Sequence, residues 1–119
     1  ANGVVFDGTQ LSNPVVALGS LSVESTPTEF ALLQNFPNPF NPETTIKYNV
    51  ASGSNVSLRI YNVVGQVVRT LVAEQQNAGR YTVRWNGSDD RGVSVSSGIY
   101  FYQISAGDFS DVKKLMLLK

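Results

Sequence analysis

The chain has 119 residues, of which 42% are hydrophobic and 15% charged, and this describes one ordinary globular domain. Nine basic and nine acidic residues cancel, so no overall charge attracts nucleic acid or an anionic membrane. The absence of cysteine and histidine excludes disulfides, thiolate metal sites, cysteine nucleophiles and histidine-based triads. No apolar run approaches the roughly 18 residues of a membrane-spanning helix, so we predict no stable membrane insertion.

Residues 1–24 differ in pattern from the rest of the chain. Residues 3–8 and 15–23 are strand-like, but two short strands do not make a domain. We predict that residues 1–24 are the tail of an upstream domain; a hairpin that docks on the main domain or on another copy is the alternative. Residues 25–43 read as a linker that ends in prolines, and any leader peptide is expected upstream of Ala1.

The proline-rich segment, residues 36–42, is the most unusual stretch of the chain. Its three prolines each fix φ and lack an N–H donor, so the segment joins neither a helix nor a central strand. We predict a rigid lead into a β domain, with both phenylalanines plugging the end of that domain and both asparagines bonded to local backbone. A proline-recognition site for another protein is the alternative. The segment comprises Phe36, Pro37, Asn38, Pro39, Phe40, Asn41 and Pro42.

From Thr44 onward, apolar and polar residues alternate in short runs that Gly, Asn and Asp turns separate at intervals of about 8–12 residues. This pattern predicts an all-β fold, an immunoglobulin-like antiparallel β-sandwich of about seven strands over residues 44–119. Trp85 is the expected central aromatic residue. The predicted inward-facing residues are Ile46, Tyr48, Val50, Val56, Leu58, Ile60, Tyr81, Val83, Trp85, Tyr100, Tyr102 and Ile104.

The last predicted strand, residues 109–118, is apolar on both faces near its end. Leu115 and Leu117 lie on one face, and Met116 and Leu118 lie on the other with Val112. A strand in a sandwich normally has one wet face, so either the chain itself or a partner covers the second one. A partner could add a strand to an exposed edge. The candidate recognition residues are Val112, Lys113, Lys114, Leu115, Met116, Leu117, Leu118 and Lys119.

Several segments of the chain have a recognisable pattern. They are FALLQNFPNPFNP at 30–42 followed by TTI at 44–46, LRIYNVVG at 58–65, AG at 78–79 with WNG at 85–87, SGIYFY at 97–102 and KKLMLLK at 113–119. Together these segments resemble the C-terminal sorting domain (type A) of the type IX secretion system. The resemblance covers residues 30–119, and the middle part is also similar to the immunoglobulin-like domain of flagellar hook-capping proteins. Asn62 and Asn86 stand where the sorting family often has an acidic residue.

The resemblance implies a non-enzymatic signal that directs a cargo protein across the outer membrane of Bacteroidetes and their relatives. Its partners would be the type IX secretion machinery, the processing peptidase of that machinery and an upstream cargo domain in the same chain. The protein would pass through the periplasm and then lie at the cell surface or outside the cell. Strands 1–24 or 112–118 could also support a weak homodimer.

Two alternatives remain open for function and for metal binding. A surface-exposed carbohydrate-binding or stalk module would use Tyr100, Phe101 and Tyr102 as a stacking platform, although such aromatics more often pack across strands. A calcium site in residues 86–92 would use the oxygens of Asn86, Asp89 and Asp90, but the spacing of a calcium loop is missing. We favour a polar turn there, in which Arg91 pairs with an aspartate, and expect neither metal nor cofactor.

Overall fold

The computed structural model describes residues 26–119, and these form seven strands in two antiparallel sheets. The predictions for residues 1–24 lie outside the described residues. Residues 26–119 contain no helix that is long and apolar enough to cross a membrane. The strands are β1 (Ala31–Leu32), β2 (Thr44–Val50), β3 (Ser54–Tyr61), β4 (Val67–Gln76), β5 (Gly79–Trp85), β6 (Gly98–Ala106) and β7 (Phe109–Leu117).

One sheet has three strands in the order β1-β2-β5, and the other has four in the order β4-β3-β6-β7. β2 and β5 pair with Ile46 opposite Val83, and β3 and β6 pair with Leu58 opposite Ile104. The tight turn between β6 and β7 uses Gly107, whose φ of 58° suits a residue without a Cβ. The predicted seven-stranded immunoglobulin-like sandwich is confirmed.

The core lies between the sheets and consists of alternate residues from each strand, because successive side chains of a strand point to opposite faces. The inward faces predicted for β2, β3 and β6 are confirmed, while Tyr81 and Val83 of β5 are half-buried against the core. Trp85 lies at the centre, with its ring 5.5 Å from those of both Phe40 and Tyr100. Such tilted aromatic pairs stabilise a core beyond the area that they bury.

The proline-rich segment passes from one sheet to the other and closes one side of the sandwich. Phe36 exchanges two backbone hydrogen bonds with Thr45 of β2, and Phe40 forms a parallel bridge with Leu117 of β7. Together with β1, the segment makes residues 31–40 part of the sandwich, whereas the prediction was a linker and proline-rich entry segment over 25–43 and a sandwich that begins at residue 44. Phe40 is buried as predicted, but the prediction for Phe36 is wrong because its side chain is 79% exposed.

Candidate functional site

The terminal strand β7 has one buried face and one open face. Leu115 and Leu117 are almost completely buried in the core. On the other face, Val112 is 53% exposed and Leu118, just past the strand, is 49% exposed, while Met116 between them is half-buried. The chain therefore covers one apolar side of its terminal strand and leaves much of the other open.

The proline-rich segment covers the outer edge of β7. Phe40 donates its backbone N–H to the carbonyl of Met116 and accepts the N–H of Leu118, both at 3.0 Å. The N–H of Met116 donates to the Asn38 side-chain oxygen at 3.0 Å. We predicted a local turn for Asn38, which is wrong for this oxygen because its partner lies 78 positions away.

Two further side chains extend this closure toward the start of the strand. The side-chain amide of Gln34 donates to the carbonyl of Lys114 at 2.8 Å, and Asp111 accepts the N–H of Val112 at 2.9 Å. An added strand would have to displace these bonds along the edge from residue 112 to residue 118. Recognition by strand addition at this edge therefore conflicts with the structure.

Hydrogen exchange tests the closed edge. We expect Asn38→Ala to accelerate exchange of the Met116 amide, because this amide loses its acceptor while neighbouring bonds remain. Leu118, whose amide donates to a backbone carbonyl, serves as the internal control. Equal exchange of Met116 in the variant and in the unchanged chain would contradict this assignment.

A buried polar network holds the start of the proline-rich segment. Asn35 is buried, and its side-chain amide donates to the Thr44 hydroxyl at 2.9 Å and to the Pro37 carbonyl at 3.1 Å. The Tyr102 hydroxyl accepts the backbone N–H of Asn35 at 2.8 Å and donates to the Leu33 carbonyl at 2.7 Å. These roles were not predicted, because the only signal for them in the sequence is an asparagine just before the prolines.

Because of the Tyr102 hydroxyl, the free energy of unfolding depends on pH in the alkaline range. Burial raises its pKa to about 12, from an ordinary value of 10.0. Between pH 10 and 12 the unfolded chain loses this proton while the folded chain keeps it, so the free energy of unfolding falls as pH rises. The slope is at most about 1.4 kcal/mol per pH unit.

Urea unfolding from pH 9 to 12 checks this dependence, with Tyr102→Phe as the matched variant. The variant keeps the aromatic ring and lacks the ionisable hydroxyl, so we expect its free energy of unfolding to fall less steeply as pH rises. Parallel slopes in the two proteins would contradict the assignment.

Both tyrosines of the alternative stacking platform are buried in the core. Tyr100 is 7% exposed and packs edge-on against Trp85, and Tyr102 is fully buried. Neither can stack on a sugar at the surface, so the structure contradicts the carbohydrate-binding alternative at these tyrosines and agrees with packing in the core. Phe101, between them, is half-buried on the opposite face of the sheet.

The loop at residues 86–92 is a polar turn that its own side chains hold together. Asp89 accepts the backbone N–H groups of Arg91 and Val93 and pairs with the Arg91 guanidinium at 3.1 Å. The hydrogen bond from Val93 is the main cause that lowers the pKa of the Asp89 carboxyl. The predicted pairing of Arg91 with an aspartate is confirmed, and the described residues contain no cluster of three or more potential metal ligands.

The lysines near the chain end have different surroundings. Lys114 is exposed, Lys113 is half-buried, and the Lys119 ammonium donates to the Ser94 hydroxyl at 2.6 Å. The backbone N–H of Lys119 donates to the Ser97 hydroxyl at 3.0 Å. These bonds fasten the last residue to the loop before β6.

Asn62 and Asn86 each supply an acceptor oxygen to a turn. The Asn62 side-chain oxygen accepts the N–H groups of Val64 and Gln66, and that of Asn86 accepts the N–H of Ser88. A carboxylate could accept the same bonds, so asparagine preserves both turns.

Comparison with solved structures finds the same fold in parts of larger proteins. Dimeric latent PorU from Porphyromonas gingivalis matches with a TM-score of 0.61 at 20% identity, over 73% of this chain and 9% of PorU. PorZ, an essential bacterial surface component of the type IX secretion system of the same organism, matches with a TM-score of 0.50 at 20% identity, over 72% of this chain and 11% of PorZ. FlgD from P. aeruginosa matches with a TM-score of 0.49 at 24% identity, over 62% of this chain and 58% of FlgD.

The likenesses to PorU and PorZ show the fold, and the chain spans only about a tenth of each of these proteins. Comparison with curated proteins gives no match. Among protein-family models, the FlgD Ig-like domain matches residues 41–109, which is more than half of the chain. The protein therefore belongs to the family of FlgD Ig-like domains.

Proposed function

We propose that this domain is a non-enzymatic sorting signal that directs an attached cargo protein across the outer membrane through the type IX secretion system. The observation that carries the proposal is that Val112 on the terminal strand and Leu118, just past it, stay open to solvent while the inner face of the strand is part of the core. Exposed apolar side chains grouped on one surface mark sites of protein interaction.

The sequence resemblance and the structural neighbours support the same proposal. The motifs at both ends of the domain resemble those of the sorting family, and PorZ, which shares the fold, is a component of the type IX secretion system. The partners would then be that machinery and its processing peptidase. The protein would reach the cell surface or the medium by way of the periplasm.

The test fuses the full chain behind a reporter that carries its own periplasmic leader. The fusion is produced in a type IX-competent bacterium and in a matched strain that lacks the secretion machinery. We expect reporter at the surface or in the medium of the first strain and in the periplasm of the second. Equal distribution in the two strains would contradict the proposal.

Removal of residues 112–119 would be an ambiguous test of this function. Leu115 and Leu117 are core residues, so the truncated chain would lose its fold together with any recognition surface. Substitutions at outward positions avoid this ambiguity.

A further inference from the structure

The outer face of the four-stranded sheet, the side turned away from the core, is a continuous surface around the open side of β7. Across β6 and β7, Ile99 lies opposite Met116 and Phe101 lies opposite Lys114. Tyr61 of β3 lies opposite Phe101 on its other side. Aromatic and aliphatic side chains therefore meet across three adjacent strands.

A second row of the same face adds a cation and another apolar residue. Arg59 lies opposite Gln103, which lies opposite Val112. Ile99 is 37% exposed and Val112 is 53% exposed, so this part of the face is open to solvent. We call this surface, from Arg59 and Tyr61 across β6 to Val112 and Met116, the outer face.

The charged residues on the outer face are all cations. By strand alternation, the outward positions of β3, β6 and β7 carry Arg59 and Lys114 and no carboxylate. Both cations are exposed, and neither forms an ion pair with the part of the chain that the structure describes. A chain with zero net charge thus presents a cationic and apolar surface at this place.

We propose that the partner of the sorting signal docks flat on the outer face and presents apolar side chains with carboxylates opposite Arg59 and Lys114. This inference rests on the proposed function and identifies the chemistry of the recognised surface. Because the edge of β7 is already bonded to residues 34–40, the side chains of the face, and not the backbone edge, are what a partner meets. A docked partner desolvates both cations, and this is costly unless anions pair with them.

A protein surface fits the outer face better than an anionic membrane. Two cations give little attraction to anionic lipid, and polybasic membrane sites use clusters of several. Phe101, Met116 and Tyr61 are half-buried in the sheet, so they project little toward an acyl layer. A flat face with a few cations is instead suited to shape and charge complementarity with a folded protein.

The experiment reverses charge in the full-chain reporter fusion. The double variant Arg59→Glu and Lys114→Glu is compared with Lys47→Glu, which changes an exposed cation on β2 of the other sheet. We expect roughly a tenfold lower delivered fraction for the double variant, since like charges would face each other, and unchanged delivery for Lys47→Glu. Urea unfolding of the purified chains verifies that each variant keeps its fold.

Different outcomes separate this inference from the proposed function. Full delivery of the double variant, with delivery still dependent on the secretion machinery, would overturn the inference and leave the proposed function standing. Loss of that dependence in the unchanged fusion would overturn both.

Purified chains are also sedimented with vesicles of phosphatidylglycerol and phosphatidylethanolamine. We expect no binding, and vesicle binding that the double variant abolishes would assign the outer face to lipid and overturn a protein partner.

Discussion

Replacing Phe40 with alanine is expected to lower the free energy of unfolding by about 3–5 kcal/mol, the range observed for buried phenylalanines. The Phe40 ring is 2% exposed and packs 5.5 Å from the ring of Trp85. Its loss would leave a cavity beside the central aromatic residue and would weaken the hold of the proline-rich segment on β7. Urea unfolding followed by tryptophan fluorescence measures the effect, since Trp85 is the single tryptophan.

Phe36→Ala is the matched control for this prediction. The same chemical change, four positions earlier in the same segment, removes a ring that is 79% exposed, so we expect a change within about 0.5 kcal/mol. Similar losses for the two variants would mean that the two rings are not placed as the structure shows.

Leu115→Ala is expected to lower the free energy of unfolding by about 2–5 kcal/mol. Leu115 is completely buried on the inner face of β7 near the end of the strand, opposite Tyr100 of β6. Loss of its side chain opens a cavity in the core. Denaturant unfolding at neutral pH measures the effect.

Leu118→Ala is the matched control, because it removes the same side chain from the solvent-exposed side of the C-terminal segment. Leu118 is 49% exposed and is held through its backbone N–H, which alanine keeps, so we expect a loss of at most about 1 kcal/mol. An equal loss at both positions would contradict the division of the chain end into a core side and an open side.

The alternation of residues predicted the inner faces of the sandwich well. Leu58 and Ile104, for example, occupy the expected faces of β3 and β6 and lie opposite each other in the core. Such predictions succeed because a strand has a period of two and only one face of each sheet is buried. The burial of every second residue is thus visible in the sequence itself.

The roles of Phe36 and Phe40 could not be distinguished in the same way. Both lie in a proline-rich stretch without a regular period. The burial of Phe40 depends on its bridge to Leu117, which is distant along the chain but adjacent in the fold. The bond from Met116 to Asn38 likewise joins residues 78 positions apart and leaves no local pattern. Contacts of this kind depend on the folded topology.

The candidate site was predicted only in outline. The apolar residues on both faces of the terminal strand are visible in the sequence. Which of these faces is buried depends on contacts with neighbouring strands, and the sequence does not show those contacts. The structure places Leu115 and Leu117 in the core and leaves Val112 open next to β6. Ile99, which belongs to the same open surface, was missed because exposed apolar residues in strands are common.

The most direct test of the account compares delivery of two full-chain fusions, Val112→Gln and Val93→Gln. The two valines have the same exposure, 53%, but Val112 lies on the open side of the terminal strand, whereas Val93 lies in the loop before β6. Both variants should unfold within about 0.5 kcal/mol of the unchanged chain. We expect Val112→Gln to lower the delivered fraction several-fold and Val93→Gln to leave it unchanged; equal delivery of the two fusions would mean that the open side of the terminal strand is not the recognised surface.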